Sequence, residues 1–219
     1  MIDLHTHTLF SDGVLLPSEL VRRASVAGYK AIALTDHVDM SNLDFVIPRM
    51  VEAAKALSPF YEMKIIPGAE ITHVPPELIG DLVKKARELG AKIVVVHGET
   101  PVEPVMPGTN RAAIEACPDI LSHPGAITIE DAALAKEKGV ALEITTRKGH
   151  SLSNGHVAKV AMAAGATMVI NTDSHAPEDL VVRGKAEDIL RAAGIPEESI
   201  ATIFTNSQAI VDKAELSGA

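Results

Sequence analysis

The chain has 219 residues, 47% of them hydrophobic, and a formal net charge of −9 at pH 7. This negative charge, with no Trp, two Tyr and four Phe, argues against long nucleic acids as a partner. One cysteine, Cys117, excludes an intrachain disulfide, and no apolar run reaches the roughly 18 to 20 residues of a membrane helix. We therefore expect a cytoplasmic protein without a membrane partner, in which Cys117 packs within a helix.

In chain order, strands are predicted at residues 1–5, 31–34, 64–70, 93–96, 119–122, 140–142 and 168–170, with helices between them. Four of these strands follow a helix that ends at glycine, a residue that accepts the left-handed conformation past a last turn: Gly28, Gly90, Gly139 and Gly165. Continuous apolar strands are typical of a parallel sheet covered on both faces. The regular alternation predicts one α/β domain over residues 1–219, built as a βα barrel or a doubly wound sheet. Helices from about residue 195 are expected to pack on the outside.

Polar side chains collect where the predicted strands end. His5 and His7 end the first strand, two residues apart and therefore on one side of an extended segment, and Asp12 lies in the loop that follows. Later strand ends carry further imidazoles and carboxylates, namely His37, Glu70, His97, His123, Asp173 and His175. A lone histidine behind a strand is more often a hydrogen-bonded turn residue, but the coincidence across six strands favours convergence on one site. Imidazoles and carboxylates without a thiolate suit catalytic Zn, Mn or Fe.

Six ordered motifs carry a family resemblance. The segments DLHTHTLFSDG, ALTDH, PGAE, VVVH, LSHPG and NTDSH, which run from residue 3 to residue 175, resemble the successive motifs of the PHP (polymerase and histidinol phosphatase) superfamily. The resemblance implies a distorted (βα)7 TIM-like barrel that holds three divalent ions, Zn, Mn or Fe.

The resemblance also implies a set of ligands for each ion. The first ion would take His5, His7, Glu70 and Asp173. A second would share Glu70 and add His97 and His123, and a third would take Asp12, His37 and His175. Some relatives have histidine in place of Asp12. Within this set the resemblance implies direct catalytic roles for Glu70, Asp173, His37 and His175.

Phosphoester hydrolysis is the chemistry that such a cluster predicts. Three divalent ions outweigh three ionised carboxylates, so the site would attract a phosphate dianion despite the negative chain. Paired ions hold a bridging hydroxide and clamp the oxygens of an in-line displacement. We therefore predict attack of a metal-bridging hydroxide on phosphorus, with a small phosphomonoester such as histidinol phosphate as substrate.

Two loops are predicted to set specificity. After the sixth strand, TTRKGHSLSNGH offers Arg147, Lys148 and His150 as substrate-binding residues, although it also reads as a polar connection in which Ser153 or Asn154 caps a helix. After the fourth strand, a long proline-rich loop leads to Arg111, either a substrate contact or a surface residue.

Three further polar residues have less definite roles. Glu143, inside the sixth strand, needs a buried partner and is expected to support the ligands. His73 is expected to be peripheral, and His156 has structural and functional interpretations of equal weight.

Three other functions remain open from the sequence. A nucleotide or oligonucleotide phosphodiesterase or exonuclease would use the same ligands. A zinc amidohydrolase also opens with a histidine pair, but its bridging group is typically a lysine, where this chain offers Glu70. A metal-binding scaffold without activity is disfavoured because all nine ligand positions are filled. The oligomeric state is open.

Overall fold

The computed structural model describes residues 1–216 and contains eight parallel strands and eight α-helices. The strands are β1 (Ile2–Asp3), β2 (Ala31–Leu34), β3 (His37–Val38), β4 (Lys64–Ile71), β5 (Ile93–His97), β6 (Ile120–Ser122), β7 (Ala141–Thr145) and β8 (Met168–Asn171). The helices are α1 (Pro17–Val26), α2 (Leu43–Leu57), α3 (Pro76–Glu88), α4 (Thr109–Ala116), α5 (Ile129–Lys138), α6 (Asn154–Ala164), α7 (Arg183–Ala192) and α8 (Glu197–Leu216). Short 3-10 turns cover Ser58–Phe60, His150–Ser153 and Pro177–Asp179.

The strands follow the order β1-β2-β4-β5-β6-β7-β8, with β3 paired to β4. Between the last and first strands, Asp173 N–H donates to the His5 carbonyl over 2.9 Å, and His7 N–H donates to the Ser174 carbonyl over 2.8 Å. The buried Asp3 carboxylate accepts from the Thr172 backbone and hydroxyl, which ties the same two strands together. The α/β barrel prediction is therefore confirmed: seven strand positions form a nearly closed, TIM-like parallel barrel.

One predicted strand is shorter than expected, and one observed strand was not predicted. The first ends at Asp3 rather than residue 5, because the Leu4 N–H is bound by the Asn171 side chain instead of a neighbouring backbone. The second predicted strand has the bounds of β2, and the additional strand β3 follows it after Thr35 and Asp36, whose backbone groups bond to Thr6 and Glu70. Both irregularities lie at the carboxyl end of the barrel, where regular strand pairing is interrupted and the proposed ligands are located.

The barrel interior is filled by inward-facing side chains of the strands and, at the amino ends of the strands, by side chains of α8. Inward-facing side chains such as Leu4, Ile66 and Val95 form one apolar cluster, and Val211 and Ala214 of α8 belong to it. The prediction that the helices beyond residue 195 pack outside is therefore wrong for the last part of α8. The reason is that inward apolar side chains at the amino ends of the strands need a cover, and α8 supplies it.

Helix ends follow the expected chemistry in part. Helices α5 and α6 end at Gly139 and Gly165, with φ of 70° and 67°, as predicted. Cys117 takes the same left-handed conformation after α4 and is exposed, so its predicted packing within a helix is wrong. Within residues 1–216, no helix combines the length and apolar character that crossing a membrane requires.

Candidate metal centre

Glu70, at the carboxyl end of β4, lies at the centre of the converging strand ends and is fully buried. Its Oε1 atom is 3.2 Å from His5 Nε2 and 3.9 Å from His123 Nε2, and its Oε2 atom is 3.7 Å from His7 Nε2. Ligand atoms of Glu70, His97 and His123 also lie within 4.8 Å of one another. The two carboxylate oxygens therefore face two neighbouring groups of imidazoles.

Asp173 supplies a second buried carboxylate to the same imidazoles. Its Oδ1 atom is 3.1 Å from His7 Nε2 and 3.7 Å from His5 Nε2. Its Oδ2 atom is 3.6 Å from His123 Nε2. Residues that follow β1, β6 and β8 thus meet around one point.

A third group lies toward solvent. Asp12 Oδ1 is 3.1 Å from His175 Nε2 and 3.5 Å from His37 Nε2. The ring of His7 lies beside both of these histidines, with centroid distances of 4.2 Å to His37 and 4.1 Å to His175. The structure therefore brings all nine predicted ligands into overlapping groups.

Hydrogen bonds fix the direction in which several rings face. The Nδ1 atom of His5 lies 2.9 Å from Glu143 Oε1, that of His97 3.1 Å from the Gly98 carbonyl, and that of His175 2.9 Å from the Asp173 carbonyl. Each of these oxygens accepts a hydrogen bond from Nδ1, so in the neutral ring Nε2 carries the lone pair that faces the carboxylates.

Four buried ring nitrogens among the described residues have no hydrogen-bond partner: Nε2 of His5, both nitrogens of His7 and Nδ1 of His123. Leaving such a group unsatisfied costs about 1 to 3 kcal/mol, so native structures seldom collect several in one place. Coordination of divalent cations accounts for this concentration of unsatisfied nitrogens. The donor set, imidazole and carboxylate without thiolate, fits Zn, Mn or Fe.

The electrostatic environment prepares these groups for ligation. Burial, reinforced by neighbouring imidazoles, lowers the pKa of His7 and of His123 well below the usual value, so both rings are held neutral. Burial opposes ionisation of Glu70, but His5 and His37 nevertheless hold its pKa well below the usual range. For Asp173, burial and the Glu70 charge raise the pKa. The site therefore buries more negative carboxylate charge than the protons on its histidines readily balance.

Two predicted ligands sit in strained backbone. His123 and Asp173 have φ of 25° and 53°, in the left-handed region that non-glycine residues seldom occupy. Such strain persists only where surrounding structure imposes it and is found at functional sites. The turn after His123 also requires Gly125, because a Cβ there would lie 1.8 Å from the Glu99 carbonyl oxygen.

Buried carboxylates support the ligands from behind. Glu143 accepts from His5 Nδ1, from the Asn171 side chain over 2.8 Å and from the His123 backbone over 3.1 Å. Asp36 accepts from the Thr8 backbone and hydroxyl and from the Ser11 hydroxyl, which places the loop that carries Asp12. The expected supporting role of Glu143 matches these contacts.

The predicted substrate residues occupy different surroundings. His150 is buried, with Nδ1 2.7 Å from the Thr100 hydroxyl and its ring stacked on His123 at 4.2 Å. Arg147 donates to Asp179 over 2.8 Å, and the same carboxylate accepts from the His175 backbone. The side chain of Lys148 is exposed.

Arg111 is not brought to the cluster. Its guanidinium, half exposed on α4, binds Glu115 and Asp131. The structure thus supports the surface interpretation of Arg111, because its position along α4 places it on the exposed face of that helix.

Glu103 was missed by sequence reasoning. Its Oε2 atom is 3.0 Å from both His97 Nε2 and His73 Nε2, and its Oε1 atom is 3.4 Å from His150 Nε2. His73, expected to be peripheral, therefore adjoins the cluster, whereas His156 binds the Ile127 carbonyl in a structural role. A carboxylate in the loop after a ligand-bearing strand was the available signal, but Glu99 in the same loop gave it equally.

A cavity of about 340 Å³ opens beside the cluster, and its wall includes Asp12, His37 and Glu103. Its volume lies at the lower end of the roughly 300 to 1,000 Å³ typical of small-molecule sites. Neither lysine nor arginine is among its lining residues.

Comparison with known proteins agrees with the geometry. The family model of the PHP domain matches residues 3–106. An uncharacterized protein of Methanocaldococcus jannaschii is 48% identical over 200 residues, 90% of this chain and 92% of that protein. A probable phosphatase of Shewanella pealeana is 32% identical over 228 residues, 91% of this chain and 87% of that protein.

The fold has a solved counterpart in a candidate histidinol phosphatase from Listeria monocytogenes. It superposes with a TM-score of 0.62 at 15% identity and covers 85% of this chain and 99% of that one. From the barrel, the convergent imidazoles and carboxylates, and the sequence similarity along nearly the whole chain, we conclude that this protein belongs to the PHP family of metal-dependent phosphoesterases.

Proposed function

We propose that this protein hydrolyses small phosphomonoesters at the cluster around Glu70, using divalent cations held by nine side chains. The observation that carries the proposal is the pair of buried, unsatisfied Nε2 atoms of His5 and His7, which face the buried carboxylates of Glu70 and Asp173. The name of the Shewanella pealeana relative, a probable phosphatase, supports the same reaction class.

The residues divide among three cation positions. His5, His7, Glu70 and Asp173 would hold the first, and Glu70, His97 and His123 the second. Asp12, His37 and His175 would hold the third, at the solvent side. When bound, such cations activate water at neutral pH and neutralise the oxygens of a phosphoryl group.

The protein's own contribution is to fix this arrangement. Glu70 directs its two oxygens toward different imidazoles, which sets the spacing of neighbouring positions. Glu143 holds His5 in the tautomer that presents Nε2 inward. Asp36 holds the loop of Asp12 against the barrel. The chemistry thus depends on preorganised side chains rather than on a protein nucleophile.

Substrate size and charge follow from the cavity. Because the lining residues offer no lysine or arginine, attraction of the phosphate is assigned to the cations, whose local charge outweighs the negative chain. The small volume favours a compact leaving group over a polynucleotide. Of the predicted substrate-binding residues, His150 is the best placed, since it stacks on a proposed ligand, whereas Arg147 is engaged by Asp179.

The test compares ester classes on one sample. Purified protein is stripped with a chelator, reloaded with Mn²⁺ or Zn²⁺, and assayed with an aryl phosphomonoester, the corresponding phosphodiester and an aryl amide. We expect cation-dependent hydrolysis that is fastest with the monoester and negligible with the amide. The stripped sample is the control for cation dependence.

Each alternative has its own result. Preference for the diester would replace the proposal with a phosphodiesterase, and amide cleavage would contradict phosphoester chemistry. Full cation occupancy without turnover of any ester would point to a binding scaffold.

A further inference from the structure

Glu103 is a carboxylate outside the nine proposed ligands, yet it faces the nitrogen through which His97 would bind a cation. The His97 ring is almost completely buried, and its Nδ1 donates to the Gly98 carbonyl. Nε2 of the same ring lies 3.0 Å from Glu103 Oε2. A neutral imidazole with this tautomer therefore presents a lone pair directly to a carboxylate oxygen.

At this distance a positive charge must lie between the two atoms, either a proton on Nε2 that is donated to Glu103 or a cation bound by both. A divalent cation bound by both makes each atom a ligand. With bonds of about 2.1 Å to nitrogen and oxygen, ligands on one ion lie about 3.0 to 3.4 Å apart for octahedral to tetrahedral angles. The separation of His97 Nε2 and Glu103 Oε2 falls within this range.

The proposed ligand pairs elsewhere in the cluster show the same spacing. His5 Nε2 and Glu70 Oε1 are 3.2 Å apart, and His7 Nε2 and Asp173 Oδ1 are 3.1 Å apart. His175 Nε2 and Asp12 Oδ1 are also 3.1 Å apart. The separation of His97 and Glu103 therefore matches the spacing of the proposed ligand pairs.

The loop that carries Glu103 is built into the fold rather than free. Glu99 Oε1 accepts from the backbones of Gly108 and Asn110, which closes the loop at its base. The Asn110 side chain donates to the Pro124 carbonyl over 2.8 Å, beside the proposed ligand His123. The position of Glu103 is thus coupled to the segment that presents His123.

Two histidines hold the Glu103 carboxylate from its sides. His73 Nε2 lies 3.0 Å from Oε2, and His150 Nε2 lies 3.4 Å from Oε1. His73 takes a left-handed backbone conformation, with φ of 54°, to reach this contact. Hydrogen bonding of this kind orients carboxylate ligands at metal sites.

We propose that Glu103 is a further metal ligand, which acts with His97 beside the position formed by Glu70, His97 and His123; the ligand atoms of Glu103, His97 and His73 lie within 4.8 Å of one another. The inference rests on the proposed function, because it requires cations at that position. Carboxylate and imidazole donors together accommodate Mn²⁺ as well as Zn²⁺. Glu103 is partly exposed, at 37%, and faces the cavity, so it is the ligand of this set nearest to an entering substrate.

The test is a Mn²⁺ titration of chelator-stripped protein by calorimetry, repeated with Zn²⁺. Glu103→Gln keeps the size of the side chain and removes a charged ligand atom. We expect one binding step to weaken by about 10- to 100-fold or to disappear, while the remaining steps are unchanged. Glu103→Asp keeps the charge but shortens the reach, and we expect the same step to weaken.

Glu115→Gln is the matched control, since Glu115 pairs with Arg111 on the exposed face of α4. It should titrate like the wild type, and circular dichroism should show all three variants folded. A Glu103→Gln titration that superposes on the wild type would overturn the inference and leave the proposed function intact. A Glu103→Asp titration that superposes on the wild type would also overturn it, because the loss of charge alone would then explain the effect of Glu103→Gln. A wild-type protein that binds neither cation would overturn both proposals.

Discussion

The histidines of the metal centre are set in two opposite electrostatic environments. Burial and the neighbouring imidazoles lower the pKa of His7 and of His123 by more than the nearby Glu70 carboxylate raises it. Burial acts in the same direction on His5 and His37, but the carboxylates around them, above all Glu70, raise their pKa above the usual value. Some ligands are therefore ready for a cation, while others must first lose a proton.

Acidification should consequently remove the cations. A raised histidine pKa means that the ring stays protonated at higher pH, and a protonated ring cannot bind a metal. We therefore expect cation affinity and the rate of hydrolysis to fall as pH falls from about 8 to about 5, and to recover as pH rises again. Metal content after dialysis across this range, measured with the initial rate, checks this expectation. A rate and occupancy that stay flat down to about pH 5 would contradict a histidine-rich centre.

Strand position indicated where the proposed ligands lie, because parallel strands bring their carboxyl ends together, and the resemblance to the PHP motifs separated the nine ligands from other polar residues there, such as Asp36. His97 and His123 each end a short apolar run, so their convergence follows from the fold. Glu103 was not predictable in the same way. Loop conformation is not set by periodicity, and the loop contains Glu99 as well, so only coordinates separate the acid that shapes the loop from the acid that faces His97.

At the scale of secondary-structure elements, the two ends of the barrel have different roles, one structural and one that carries the proposed ligands. Strand ends and the loops after them carry the proposed ligands, whereas α8 closes the opposite end through Val211 and Ala214. The sequence predicted a helix in this region, but not its place under the barrel. An apolar stripe shows that a helix face is buried, not which surface it is buried against.

Shortening Val211 should affect stability and leave the chemistry intact. Val211 is 1% exposed, so Val211→Ala leaves a cavity among the interior side chains and should lower the free energy of unfolding by about 2 kcal/mol. Urea denaturation measures this loss, and kcat of the metal-loaded protein should be unchanged. Leu216→Ala, at an 80% exposed position of the same helix, is the control and should change stability by less than about 0.5 kcal/mol. A fall in kcat at unchanged stability would contradict this division.

At the scale of the whole molecule, the fold concentrates charge that the composition dilutes. The chain is acidic overall, with a net charge of −9, yet the proposed cations would make one end of the barrel locally positive. The same cluster joins distant parts of the chain, because His5 and His7 meet Asp173 next to the closing contacts of the barrel. Composition alone argued against long nucleic acids, but it could not predict this local reversal of charge.

The dependence of hydrolysis on the metal centre is tested most directly by His97→Ala beside His156→Gln. His97 belongs to the group around Glu70, whereas His156 binds the Ile127 carbonyl in a structural role. Metal content and phosphomonoester turnover are measured on both variants and the wild type, with folding checked by circular dichroism. We expect His97→Ala to lose bound metal and to fall to the rate of a protein-free blank, while His156→Gln keeps both. A folded His97→Ala protein with full metal content and full turnover would contradict the assignment.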